Sequence, residues 1–136
     1  MPPANVGAAL GAIRELKARP ELVQKLQSNS KLFLDLAKEA GLDTGLSGGG
    51  TPIIPIITYS SIRALRLSEA LYKSGINAQP ILHPAVPDSE ARVRIFMTAS
   101  HSEEQIRESV ATIGNEWKKI LDEHGRPPAL ETNGST

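Results

Sequence analysis

The chain has no cysteine, which excludes disulfides, thiol nucleophiles and thiolate metal sites together. Aromatic residues are scarce. Two Phe, two Tyr and one Trp in 136 residues supply no series of base-stacking platforms. Net charge is absent too, because 15 basic residues balance 15 acidic ones. No overall field therefore draws the chain to nucleic acid or to an anionic membrane, and its Lys and Arg residues are scattered rather than striped. The three histidines, His83, His101 and His124, are far apart and show no ligand-like spacing, so no metal site is predicted. No apolar run approaches the roughly 20 residues of a membrane span, and no secretion signal is visible. The expected location is cytoplasmic, with neither membrane nor nucleic acid as a partner.

What remains is the composition of an ordinary folded domain, with 40% hydrophobic residues in a length suited to one modest core. Pro2-Pro3 reads as a helix start. Val6, Leu10, Ile13 and Leu16 then form an apolar stripe, on a helix kept slim by Gly and Ala. Arg19-Pro20 breaks that helix. A second helix carries Leu22, Leu26, Phe33, Ala37 and Ala40 at helical spacing and stops at Gly41. Residues 42–50 read as a loop. Its closing Gly48-Gly49-Gly50 precedes a strand rather than a helix, so it reads as a loop rather than a phosphate cradle. That strand, Thr51–Thr58, contains two prolines and is expected at a sheet edge.

Ser60 or Ser61 caps a third helix ending at Gly75. Ile76–Leu82 reads as a second strand and His83–Asp88 as a rigid loop. Ala91–Thr98 is the third strand. Ser102-Glu103-Glu104-Gln105 is a capping box that opens a helix with Ile106, Val110, Ile113, Trp117 and Ile120 on one side. Phe33 and Trp117 fall on apolar stripes and are assigned to the core. The expected fold is α+β: a small three-stranded, mainly antiparallel sheet with helices packed on one face. Residues 1–124 would form this domain, and the polar tail 125–136 is expected to be disordered.

The most informative segment is Ala91-Arg92-Val93-Arg94-Ile95-Phe96-Met97-Thr98. Side chains alternate along a strand, so Val93, Ile95 and Met97 share one face and Arg92, Arg94, Phe96 and Thr98 share the other. Such a strand buries one side and offers the other. An arginine fork suits a planar anion, because its paired donors match two oxygens at once.

Five motifs in register resemble the C-terminal small domain of the α-oxoamine synthases. They are Thr51-Pro52-Ile53-Ile54-Pro55, Gly75-Ile76-Asn77-Ala78-Gln79-Pro80-Ile81, Pro84-Ala85-Val86-Pro87, Ala91-Arg92-Val93-Arg94 and Thr98-Ala99-Ser100-His101-Ser102. Pro2-Pro3-Ala4-Asn5 is similar to the junction where those enzymes leave their large domain, and the likeness runs over about residues 1–122. These are fold-type I enzymes that use pyridoxal phosphate (PLP) to condense an amino acid with an acyl thioester, an acyl-CoA or acyl-carrier protein, usually with decarboxylation.

The resemblance implies that Arg94 binds the amino acid's α-carboxylate, with Arg92 in support. It places His83 near the entrance used by the acyl thioester, with a plain polar loop residue as the alternative, and Thr51 is read either as lining the active-site cleft or as a turn hydroxyl before proline. His101 is read as a turn or cap residue. In that family the cofactor lysine and its companions belong to the large domain. None of this chain's seven lysines sits in a comparable motif, so no catalytic residue and no cofactor are expected on this chain alone. The chain is read as part of a larger enzyme, a homodimer by resemblance, with the large PLP domain as its partner. Two alternatives stand beside this reading: a free-standing amino-acid-binding regulatory module, or a non-catalytic partner subunit.

Overall fold

Proline sets the entry of both leading helices in the computed structural model, which describes residues 2–48, 50–125 and 127. Helix α1 (Pro3–Ala18) begins on a proline, whose missing N–H is no loss in a first turn. Helix α2 (Glu21–Glu39) follows directly after Arg19-Pro20. Strand β1 (Ile53–Ile57) leads to α3 (Ser61–Lys73), whose cap is Ser60, its side chain accepting from the Ile62 N–H. Gly75, at φ 83, turns the chain out of α3, and the Ile76 N–H donates back to the Leu71 carbonyl. Short β2 (Gln79–Ile81) and a single 3-10 turn (Asp88–Glu90) precede β3 (Arg92–Phe96). The expected capping box is complete: Ser102 and Gln105 exchange side-chain and backbone bonds at the start of α4 (Glu103–His124).

The sheet order is β1-β3-β2, antiparallel throughout, so the two-arginine strand is central. Thr58 donates its backbone N–H to Ala91, and Met97 donates to Pro52. Those rungs assign the odd-numbered residues of β3 to β1 and the even-numbered ones to β2. Pro55, opposite Arg94, and Pro80, opposite Val93, therefore both occupy rungs without ladder bonds. Neither proline costs the sheet a hydrogen bond, and each blunts a free edge.

Ile54, Ile56, Val93 and Ile95 face inward and are buried. Helix α2 packs on β1, α3 packs on β2 and β3, and α4 lies between α2 and α3. All five predicted α4 positions, Ile106, Val110, Ile113, Trp117 and Ile120, are buried, as is Phe33.

Four expectations need correction. The second strand is three residues, not seven, because residues 76–78 pair with α3 instead: besides the Ile76 bond, Ser68 Oγ donates to the Ala78 carbonyl at 2.6 Å. The strands predicted at 51–58 and 91–98 are shorter at both ends. The α2 stripe enters the core late. Leu22 and Leu26 are only partly buried and Ala40 is exposed, whereas Asn29, Ser30, Phe33, Leu34 and Ala37 are enclosed. Finally, α1 covers no part of the sheet: it buries no residue, and Val6, Leu10, Ile13 and Leu16 remain 46–52% exposed. Apart from Gly125 and Pro127, the predicted tail 125–136 lies outside the described residues.

Candidate anion-binding face

Strand alternation and register place Ile53, Pro55, Ile57, Gln79, Ile81, Arg92, Arg94 and Phe96 together on the sheet face opposite the helices. The two arginines on it differ in how they are held. Arg92 is committed. Its Nε donates to the Glu90 carbonyl at 2.8 Å and Nη2 to the Glu90 carboxylate at 2.9 Å.

Arg94 has no acidic partner among the described residues. Its Nε is buried without an acceptor, and the guanidinium carbon lies 5.4 Å from the centroid of the Phe96 ring. Pro55 stands across from it on β1 and Gln79 on β2. Only the Nε of the fork is buried, and an enclosed N–H without an acceptor is costly.

The remaining candidates are spread along the sheet. Thr51 is exposed, donates its hydroxyl to the Ile53 carbonyl at 3.1 Å, and by extension of the β1–β3 register stands opposite Thr98. It is four residues along the ladder from Pro55, roughly 13 Å from Arg94's rung. His83 lies at the opposite end, where β2 leaves the sheet. Its backbone N–H donates to Ser61 Oγ at 3.2 Å and its ring is exposed. The structure does not bring His83 and Thr51 together. His101 takes the predicted turn role, its Nδ1 accepting from the Thr98 N–H.

Three features escaped the sequence reading. Asp88 accepts the Ser61 N–H at 2.8 Å, tying the 83–90 loop to the start of α3. Hydrogen bonds from Ser61, helped by the charges of His83 and Arg63, hold its carboxyl below the usual carboxylate range. Asn29 donates from Nδ2 to the carbonyls of Thr98 and His101, both at 2.9 Å. An asparagine interrupting the Leu26–Phe33 stripe was the available signal for it.

Tyr59 is the third. It is a non-glycine residue in left-handed conformation, φ 57, with its hydroxyl donating to Asp43. Burial first, then the Asp43 hydrogen bond and charge, push its pKa up to about 12. A raised folded-state pKa gives stability that is complete below pH 10 and is lost as pH climbs from about 10 to about 12. Thermal melts across that window should show a fall in Tm that the Tyr59→Phe variant lacks. Parallel falls in both would refute the assignment.

A cleft of about 500 Å³ opens elsewhere, between the end of β3, α4 and the Gly75 turn. It shares Phe96 with the open face, but its lining contains no Lys or Arg to meet an anion. All seven lysines are exposed helix residues, and Lys31, Lys73 and Lys119 are paired with neighbouring acids. The described residues thus do not fit PLP, which needs a sheltered lysine near its carbonyl carbon. Among them no group of three His, Asp or Glu could hold a metal, and no helix is long and apolar enough to cross a membrane.

The model of one protein family, aminotransferase class I and II, matches residues 1–113. An 8-amino-7-oxononanoate synthase of Symbiobacterium thermophilum is 36% identical over 119 residues, 88% of this chain and 30% of that protein. The same enzyme of Thermoanaerobacter pseudethanolicus is 42% identical over 106 residues, 78% of this chain and 26% of its own length. Among solved structures, a lysine-to-alanine variant of S. paucimobilis serine palmitoyltransferase, with a bound PLP–myriocin aldimine, superposes with a TM-score of 0.80 at 22% identity, over 88% of this chain and 30% of that one. The Francisella tularensis 8-amino-7-oxononanoate synthase gives 0.72 at 24%, over 88% and 34%. These structural likenesses establish the α+β fold. The chain spans about 30% of the length of the curated relatives it matches.

Proposed function

The chain belongs to the class I and II aminotransferase family, in its α-oxoamine synthase branch, and from that membership we propose that it serves as the small domain of a PLP-dependent acyltransferase. The enzyme would join an amino acid to an acyl thioester and release the thiol. The cofactor supplies the electron sink that such chemistry at an α-carbon requires. In this reading its lysine lies on a further domain, because the described residues do not fit it.

One observation carries the proposal for this chain's own part. Arg94 stands on the open sheet face with no hydrogen bond from its Nη edge to any of the described residues, while Arg92 beside it is spent on Glu90. Arg94 would take the amino acid's carboxylate, which selects amino acids over amines and orients the bonds at the α-carbon. Arg92 would hold the turn before the strand. His83 and Thr51, at opposite ends of the sheet, would border the site without sharing one ligand group.

The bare surfaces support the larger assembly. The open face is half apolar around its arginines, and the α1 stripe has nothing described against it. Exposed apolar patches of this kind mark surfaces that meet another domain or chain. The chain on its own is expected to self-associate through that stripe, and Leu10→Glu with Ile13→Glu to return it to a monomer in sedimentation analysis. An unsubstituted chain that stays monomeric at high concentration would count against an interface there.

The test of function uses the complete protein that carries this chain. Supplied with PLP, an amino acid and acyl-CoA or acyl-carrier protein, it should release free thiol only when both substrates are present. Release independent of the amino acid, or none with any pair although PLP binds, would overturn the proposal.

A further inference from the structure

Phe96 stands out on the open face because it is 47% exposed, at the end of β3, although a phenyl side chain gains most from burial. Its direct partner across β1, Ile53, is 41% exposed, and on its other side Phe96 borders the cleft beside α4. What it touches is the fork of Arg94, whose carbon is 5.4 Å from the ring centroid, within the range in which an arginine is attracted to an aromatic face.

The same arginine has its Nε buried and unpartnered, and none of the described residues hydrogen-bonds its terminal nitrogens. An Arg94 free to rotate would turn Nε outward and satisfy it with water. The ring stands beside the fork, two residues along the same strand, with its centroid 5.4 Å from the guanidinium carbon. We propose that Phe96 is a positioning residue for Arg94: it holds the fork so that a carboxylate is met end-on, by Nη1 and Nη2, rather than through the Nε side. This inference rests on the carboxylate-binding reading of Arg94.

The consequence is selective. Loss of the ring should weaken ligands with a free carboxylate and spare those without one. In the complete protein, binding of glycine, L-alanine and L-serine is measured by calorimetry beside that of their amides, for Phe96→Leu, Phe96→Tyr and Arg94→Gln. Phe96→Leu is expected to weaken the acids about two- to fivefold and leave the amides unchanged. Phe96→Tyr, which keeps the aromatic face, should bind like the unsubstituted protein. With chemistry intact, the loss should also fall on KM rather than kcat.

Equal losses for acids and amides would reduce Phe96 to a packing element and overturn the inference. Wild-type affinity in Phe96→Leu beside a strong loss in Arg94→Gln would overturn it while leaving the role of Arg94 standing. No loss in Arg94→Gln, or no preference of the unsubstituted protein for acid over amide, would overturn both. Because Phe96 is half exposed, the leucine variant should keep its melting temperature.

Discussion

Arg94→Ala in the complete enzyme should lower kcat/KM for the amino acid by roughly 30- to 700-fold, the equivalent of about 2–4 kcal/mol. The size follows from what is left behind. A carboxylate carried into a partly desolvated face would lose both guanidinium bonds and keep its charge. Arg94→Lys should recover only part of the loss, since a point charge cannot reproduce the two-pronged contact. Arg92→Gln should cost much less at the substrate, because its donors already belong to Glu90. Steady-state kinetics on the three variants, read as kcat/KM for the amino acid and for the acyl thioester separately, decides the matter. An Arg94→Ala enzyme with unchanged amino-acid kinetics would end the assignment, as would a larger loss in Arg92→Gln.

The contrast between the two arginines shows where sequence reasoning reaches and where it stops. Period two placed Arg92 and Arg94 on one face and Val93 and Ile95 on the other, and the burial of the latter pair agrees. Periodicity cannot say which arginine is engaged. That depends on the 3-10 turn at Asp88–Glu90, which swings the Glu90 carboxylate back to Arg92. Pro52 and Pro55 signal an edge strand, and the sheet order agrees. Ile76 and Ala78 are apolar in alternation and so read as strand, whereas their backbone bonds go to α3.

Helix α1 teaches a related lesson. Its stripe from Val6 to Leu16 is as regular as that of α4, yet one is exposed and the other buried. Amphipathicity reports that a face seeks cover and says nothing of which chain segment supplies it. Buried polar residues are the least legible of all. Asn29 is signalled only by its place within an apolar stripe and Thr58 by nothing local, yet both are buried donors bridging distant segments.

Asn29→Ala is accordingly expected to be the most damaging polar substitution in the helix layer, at about 2–4 kcal/mol of stability. The amide joins the middle of α2 to the turn after the arginine strand. It serves two carbonyls, Thr98 and His101, that lie 69 and 72 residues away in sequence. Removing it leaves both acceptors beside a small cavity, and it frees the turn that carries β3 into the capping box of α4. A drop in Tm of roughly 10 °C should accompany the change in a domain of this size. Asn29→Asp is a sharper probe. It keeps the shape but aims a carboxylate at two carbonyl oxygens, and its other oxygen would take the place of Oδ1, which already lacks a partner. Two acceptors facing an uncompensated charge should cost more than a cavity does, so Asp should fall below Ala in urea denaturation. If alanine melts within about 2 °C of the unsubstituted chain, or aspartate proves the milder change, the clamp is not what holds the turn.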